Sequence, residues 1–313
     1  MPRSFRIGAD LRYSWDGKIE KRTEKVNFVF AASIEVVTGI ATLMLVVLGL
    51  SIIFGMMRVI NLAHGEFLML GAYTTITATN HGANIFFSIL VVAPIVVGVI
   101  GLLVERIVIR RLYGRIVDTM LATWGLSLVF IGVVTTIFGN TTEGISSPIG
   151  PVTIGNISIS GYKFFIIGVT ASALLGLWLL LKKTRFGLIA RATMQNRDMV
   201  AAVGVNSDRI YAVTFALGAG LAGLAGSVLA PIMGIVPTMG AVYVAKAFIT
   251  VIGGGSAILI GTISASAIFG AVDRITSFAT TPVIGEVALL ISAIILVRLL
   301  PQGITGRFFR GGI

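Results

Sequence analysis

Residues 34–57 read Ile34-Glu-Val-Val-Thr-Gly-Ile-Ala-Thr-Leu-Met-Leu-Val-Val-Leu-Gly-Leu-Ser-Ile-Ile-Phe-Gly-Met-Met57. Arg58-Val-Ile-Asn61-Leu-Ala-His64-Gly65-Glu66 follows, and then Phe67-Leu-Met-Leu-Gly-Ala-Tyr73-Thr-Thr-Ile76. A membrane-crossing helix needs roughly 20 predominantly apolar residues, and the first run meets that length. The whole chain has the same character. Of its 313 residues 56% are hydrophobic and only 12% charged, against about 25% charged in soluble domains, and the mean hydropathy is +0.99. Too little polar surface is left to solvate a compact chain, which excludes a soluble enzyme. A transmembrane β-barrel would alternate apolar and polar residues, whereas these runs are continuous. The fold class expected is therefore an all-α polytopic membrane protein.

There is no cysteine, so no disulfide, thiolate metal site or cysteine nucleophile exists. Two histidines, His64 and His81, outside any H-E-x-x-H pair, give no metal centre. The net charge of +11 would point to nucleic acid in a soluble protein; in a membrane protein the location of the charges carries the information. Twenty of the 24 basic residues fall in four clusters: seven in 1–30, four in 105–115, six in 182–209 and three from Arg298 onward. The positive-inside rule places all four on the cytoplasmic side, together with both termini. The charged first 30 residues, with no small-residue cleavage site after a short apolar core, do not read as a signal peptide. Two domains are expected: a charged cytoplasmic segment, 1–30, and a membrane domain, 31–313.

This placement makes a parity demand. Three apolar stretches (34–57, 59–76 and 85–104) separate the first two clusters, so one of them must fail to cross or must turn back. Residues 117–138 and 162–181 leave and return. Between 209 and 298 the stretches 210–231, 241–272 and 284–300 must also return the chain, and Gly253-Gly254-Gly255 divides the middle one into two short helices. The expected total is about 8–10 transmembrane or half-membrane helices with two discontinuous segments. Non-helical backbone at membrane depth persists where it lines a cavity or is buried in protein, and paired interruptions mark a transporter's substrate path. Glycines also serve close helix packing, as the spacing of Gly218, Ala222 and Gly226 allows.

Ionisable residues at membrane depth are costly and mark functional sites by default. Asn61, His64 and Glu66 are therefore candidate pathway residues. On a continuous helix His64 and Glu66 lie about 200° apart, so both face one cavity only if the helix bends near Gly65; a buried pair with Arg58 or a neighbouring helix is the plain alternative. Lys246 and Asp273 lie near the ends of their stretches, within snorkelling reach of the interface. Tyr73, Thr123, Trp124 and Thr238 complete the expected pathway set with Gly253, Gly254 and Gly255. Hydroxyls, amides and an aromatic face suit a small neutral polar solute. No catalytic residue is assigned; Ser256 with His64 as base would be the nucleophile of an intramembrane hydrolase, but no acid partner or oxyanion motif accompanies them.

In 182–209, Asn196 is a good N-cap, Asp198 sits in the first turn where the helix dipole favours it, and Gly204 is placed to stop the helix. Met199, Val200 and Val203 form an apolar face. A two-turn helix ringed by Arg191, Arg197 and Arg209 reads as a docking element for a cytoplasmic partner or as an amphipathic helix on the headgroups. No G-x-x-x-x-G-K-[ST] occurs in the chain, so an ATP-driven motor would be another polypeptide.

These residues carry a family likeness. Val59 to Tyr73 resembles the signature of the permease subunits of branched-chain amino acid ABC importers. Gly187 to Asn206 resembles their coupling loop, followed by Thr214-Phe-Ala-Leu-Gly and a Gly/Ala-rich helix; the ending Leu300-Pro-Gln-Gly-Ile-Thr-Gly-Arg307 is similar too. Within the family, Ala122-Thr-Trp-Gly-Leu-Ser127, Thr193-Met-Gln-Asn-Arg197 and Val236-Pro-Thr-Met-Gly240 look more like the urea and short-chain amide branch. The extension 1–30 departs from the family pattern, as does Ser256-Ala-Ile-Leu-Ile after the glycine triplet. The resemblance implies a non-enzymatic subunit in the bacterial inner membrane, with no cofactor of its own and no nucleic-acid partner. It would pair with a second related permease, two cytoplasmic ATP-binding subunits holding ATP-Mg, and a periplasmic or extracellular solute-binding protein. Arg191, Asn196, Arg197, Asp198, Met199 and Gly204 would then couple ATPase closure to alternating access. A secondary transporter or channel acting alone is the other reading.

Overall fold

The computed structural model describes residues 7–154, 157–255 and 257–308. Ser256, Arg3, Arg6 and Arg310 lie outside the described residues, as do the side chains of the other amino-terminal basic residues and of Arg307. The elements are α1 (Ile7–Met57), α2 (His64–Asn80), α3 (Ile85–Phe87), α4 (Ala93–Ile107), α5 (Ile116–Phe138), the strands β1 (Pro151–Ile154) and β2 (Ile157–Ser160), α6 (Tyr162–Lys183), α7 (Arg185–Gln195), α8 (Arg197–Ala202), α9 (Ser207–Leu229), α10 (Gly240–Gly254), α11 (Ile258–Ala279), α12 (Pro282–Leu299) and α13 (Gly303–Phe308). Among the described residues seven helices are long and apolar enough to cross a membrane, and Gly240–Gly254 is a shorter apolar helix. With α2, of 17 residues, the count falls within the expected range. Between α3 and α4 lies a π turn, Ser88–Val92. Pro94 in the first turn of α4 has no N–H to donate backward, which favours the wider turn before it.

Helix α9 is the axis of the bundle. Its small residues let backbones touch: a Cβ on Gly218, Gly223 or Gly226 would collide with Ile53, Val97 or the Leu68 carbonyl, on α1, α4 and α2. Small-residue contacts are the main packing device where lipid is as apolar as the core. The anticipated packing role of Gly218, Ala222 and Gly226 is thus present, and all three are buried.

The contacts also fix directions. Met56 meets Thr214 while Gly49 meets Gly218 and Ala222, so α1 runs antiparallel to α9. Glu35 pairs with Lys163 and Ala41 meets Thr170, so α1 runs parallel to α6. The end of the bundle that carries Arg110, Arg197 and Asp208 is called here the basic end, and the opposite one the hairpin end. The span Val29–Met57 starts at the hairpin end. The start of that span thus lies opposite 105–115, 182–209 and Arg298, whereas the side chains of the amino-terminal basic cluster, expected on the same side as these, lie outside the described residues. Three traverses then separate α1's start from residue 107, and no stretch has to fail. The positive-charge count could not see that α1's glycines and Glu35 fit their partners in one direction only.

The expected division of 241–272 is present. Helix α10 descends to the basic end, Gly255 takes φ +86°, and α11 returns, with Gly254 packed on Gly261 and Ile258 beside Gly55. At the hairpin end β1 and β2 pair antiparallel, Pro151 opposite Ser160, and Glu143 exchanges both backbone hydrogen bonds with Ile235, each 2.9 Å.

Candidate functional site

The first interruption is a non-helical segment, residues 58–63, with Arg58 at φ +53°. It climbs from the basic end into the bundle, and its backbone groups need partners there. Thr123 on α5 supplies them: its hydroxyl accepts from the Leu62 N–H at 3.1 Å and lies 3.3 Å from the Ile60 carbonyl. Asn61 Oδ1 accepts from Ala63 N at 3.1 Å, closing a turn that launches α2. His64 Nε2 lies 2.9 Å from the Val46 carbonyl; a carbonyl only accepts, so Nε2 carries the proton. Glu66 faces the other way, toward Ser127 of α5.

Asn61, His64, Glu66, Tyr73 and Thr123 are all buried. The helix does not bend at Gly65; it begins at His64, and the two ionisable side chains point to different neighbours. Tyr73 lies further along α2, its ring 4.7 Å from Phe138. Trp124 is 56% exposed on the outer face of α5, away from the others, and Thr238 is exposed. Gly253, Gly254 and Gly255 sit at the basic end, where Thr305 accepts from Ala257 N at 3.1 Å and donates to the Gly254 carbonyl at 2.7 Å. Each interruption is thus held by one threonine from a distant helix. Thr305 was not among the expected site residues, although it lies in the family-like ending Leu300 to Arg307.

An open cavity lies elsewhere. A cavity of about 550 Å³ opens at the hairpin end between α1, α6, α10, α11 and α12. None of the ten expected pathway residues lines it, but one of them, His64, adjoins its floor. Val46, which holds His64, is a floor residue, and Met239 beside it adjoins Gly240. Gly240 and Gly65 pack backbone to backbone, and a Cβ on either would collide with the other. The starts of the two short helices, α2 and α10, therefore close the cavity's inner end.

Its walls carry Glu35, Lys163, Lys246, Asp273, Arg274 and Glu286. Glu35 and Lys163 form an ion pair, and Lys246 Nζ lies 2.6 Å from Glu286 Oε1. Lys246 and Asp273 thus face a shared cavity rather than only snorkelling. The sequence signal was present, ionisable residues within or beside apolar stretches, but the six are spread from residue 35 to 286 and only the fold collects them.

At the basic end, α7 and α8 form the loop expected to dock a partner. Asn196 caps α8 by accepting from Met199 N at 3.0 Å, and Gly204 ends it at φ +82°. The expected single apolar face divides: Val200 is buried against the bundle, while Met199 (66% exposed) and Val203 (77%) point outward with exposed Asp198. Arg197 turns inward to Asp208 Oδ1 at 2.6 Å, its guanidinium 5.3 Å and 5.4 Å from the Tyr113 and Tyr211 rings. Arg110 takes the other Asp208 oxygen at 2.7 Å, and that hydrogen bond raises the guanidinium pKa further. Tyr113 donates to Glu105; burial first, and then this carboxylate, push the phenol far above its ordinary range. Arg191 donates to the Gly187 carbonyl at 3.2 Å within α7.

The chain matches the family described as branched-chain amino acid transport system, permease component, over residues 33–300. It is 28% identical over 284 residues to the high-affinity branched-chain amino acid transport system permease protein LivH of Salmonella typhimurium, covering 85% of this chain and 92% of that one. It is 28% identical to a probable LivH of Methanocaldococcus jannaschii, covering 84% and 88%. It is 27% identical to BraD of Pseudomonas aeruginosa, a permease protein of the same kind, covering 85% and 92%. With helices that cross and re-enter the bundle, two interruptions held by threonines, and a match to the family model over most of its length, the chain belongs to the permease components of branched-chain amino acid transport systems.

Proposed function

We propose that this chain is the membrane subunit of an ATP-driven importer, working with a second related permease, two cytoplasmic ATP-binding subunits that hold ATP-Mg, and an external solute-binding protein. The observation that carries this reading is the α7–α8 loop. It presents Met199, Val203 and Asp198 to solvent while Arg197 anchors it to α9. That is the form of a docking surface whose movement is delivered into the bundle. The basic end is then the cytoplasmic face of a bacterial inner membrane, and the cavity at the hairpin end is the vestibule that receives solute from outside. Separating the starts of α2 and α10 at Gly65 and Gly240 would open its floor, an alternating-access step. The solutes fitting the sequence motifs are urea, short-chain amides or small amino-acid-like molecules.

Purification of the chain from its native membrane, with assay of co-purifying ATPase, tests this reading. Capture of ATP-binding subunits whose hydrolysis rises with solute supports it. ATP-independent uptake by the purified chain alone in liposomes would establish a stand-alone transporter instead.

A further inference from the structure

Lys163, Lys246, Arg110, Arg115 and Arg197 each meet a carboxylate. Lys182, Lys183 and Arg185, at the corner between α6 and α7, do not. All three are exposed, and among the described residues none has an ion-pair partner. No Asp or Glu occurs between Glu143 and Asp198, so the adjoining chain offers none. The corner itself is locked. Thr184 Oγ1 accepts from Gly187 N at 3.1 Å, and a Cβ on Gly187 would collide with the Leu180 and Leu181 carbonyls. Lys182 and Arg185, three residues apart, have Cα atoms within about 11 Å of each other, so both long side chains reach one anion. The face leading to the corner is apolar. Ala171, Leu175, Trp178 and Lys182 are exposed at helical spacing on one side of α6, and Lys182 Nζ lies 4.9 Å from the centre of the Trp178 ring. On α7, Arg185, Leu188 and Ala192 are exposed at the same spacing. Aliphatic residues, then an aromatic ring, then cations follow the order in which a bilayer passes from hydrocarbon to headgroup.

We propose that the α6–α7 corner binds an anionic phospholipid, its phosphate between Lys182 and Arg185 and an acyl chain along Trp178 and Leu175. Snorkelling alone carries a lysine to the headgroups without choosing among them. Two cations on a locked corner, with no carboxylate to satisfy them, do choose. Basic pockets beside a span hold anionic headgroups in this way. A zwitterionic headgroup brings its own cation beside the phosphate and gains less. An acidic protein segment would meet the cations but not the apolar stripe. Trp178 and Leu175 lie about 6 and 10 Å along the helix from Lys182, toward the hydrocarbon. The site needs a membrane and no motor, so it stands or falls apart from the importer reading. It also bears on the loop: α7 leads through Asn196 into α8, so the lipid holds one end of the loop and Arg197 the other.

The chain has three tryptophans, and Trp15→Phe with Trp124→Phe leaves Trp178 as the reporter. The full chain is placed in bilayers of phosphatidylglycerol and phosphatidylcholine, with one or the other brominated high on its acyl chains. Quenching of Trp178 then reads which lipid sits beside it. Phosphatidylglycerol is expected to be preferred about 25-fold, a factor of about five for each of the two cations. Lys182→Gln and Arg185→Gln should each lower the preference about fivefold. Because the preference is a ratio between two lipids, a change in Trp178's own emission cancels. Raised salt should shrink it in the parent chain, which keeps the test open if either variant fails to fold. Trp15→Phe with Trp178→Phe reports instead from Trp124, about 13 Å along α5 from Arg115, where the two lipids should quench alike. Glycerol phosphate in excess should displace neither. Equal quenching of Trp178 by the two lipids would overturn the assignment, leaving the cations to water or to an acidic protein. So would an equal preference at Trp124, a preference that survives the substitutions or raised salt, or displacement by glycerol phosphate.

Discussion

Arg197 donates to Asp208 Oδ1 at 2.6 Å, and this contact makes the arginine a strut within the chain rather than a free docking charge. Arg110 holds the second oxygen of the same carboxylate, so Asp208 joins α8, the turn after α4 and the first turn of α9. Both pairs are partly exposed, and exposed pairs contribute about 0–1 kcal/mol to stability. Folding should therefore survive their loss. Transmission should not. Arg197→Gln and Asp208→Asn are each expected to leave ATP hydrolysis by the assembled complex running while solute uptake falls. The double variant should be no worse than either single one, the signature of one shared interaction. Asp198→Asn, on the exposed face, is expected instead to weaken capture of the ATP-binding subunits. Normal, solute-stimulated coupling in Arg197→Gln and Asp208→Asn would remove the strut from the mechanism.

The class of fold and the two interruptions were legible because they are local: apolar run lengths, a glycine triplet, and polar residues where none belong. The cap at Asn196 and the stop at Gly204 were legible for the same reason. The direction of α1 was not, since it depends on Glu35 finding Lys163 and on Gly49 finding Gly218, partners more than a hundred residues away. Asn61, His64 and Thr123 do meet, but as the support of a re-entering segment, while the charges that line open space come from five helices. Polar residues at depth look alike in sequence whether they satisfy backbone or face a cavity.

Thr123 is the clearest case of support. It serves Leu62 N and the Ile60 carbonyl where water is excluded. Thr123→Val keeps the shape and removes the hydroxyl, leaving a buried backbone group unmatched at a cost of about 1–3 kcal/mol. Thermal unfolding of the purified chain in detergent should begin at a lower temperature in Thr123→Val and stay near wild type in Thr123→Ser. Equal stability of the two variants would mean that the re-entering segment draws its support from elsewhere.

Glycines in this bundle divide into those that touch backbone and those that touch nothing. A Cβ at Gly240 would overlap Gly65, and one at Gly226 would overlap the Leu68 carbonyl. Gly240→Ala and Gly226→Ala should therefore force the helices apart and lower the yield of folded chain. Gly125, mid-helix in α5 with nothing within 4 Å of a Cβ, should behave oppositely. Alanine there is expected to be neutral or to stabilise by about 0.5–1 kcal/mol, the helix-interior difference between the two residues. Size-exclusion profiles and melting curves of the three variants check this. Loss of folded Gly125→Ala would reveal a packed partner on the face of α5.

The direction of α1 gives the most exposed claim about topology. If the basic end is cytoplasmic, Val29 (62% exposed) and Val283 (70%) stand at the outer end, and Val203 (77%) at the inner one. The cysteine-free chain allows single reporters at each. In intact cells stripped of any outer membrane, an impermeant maleimide is expected to modify Val29→Cys and Val283→Cys, and to reach Val203→Cys only after permeabilisation. The arrangement by charge alone makes a different forecast, with Val29→Cys protected alongside Val203→Cys. Packing should prevail, because reversing α1 would part Glu35 from Lys163 inside the cavity and move Gly39, Gly49 and Gly55 away from Arg274, Gly218 and Ile258. Parting the pair leaves two ionisable groups unmatched within the bundle, which is costly, and each lost glycine contact adds to it, whereas the positive-inside preference acts chiefly on charges close to the ends of short loops.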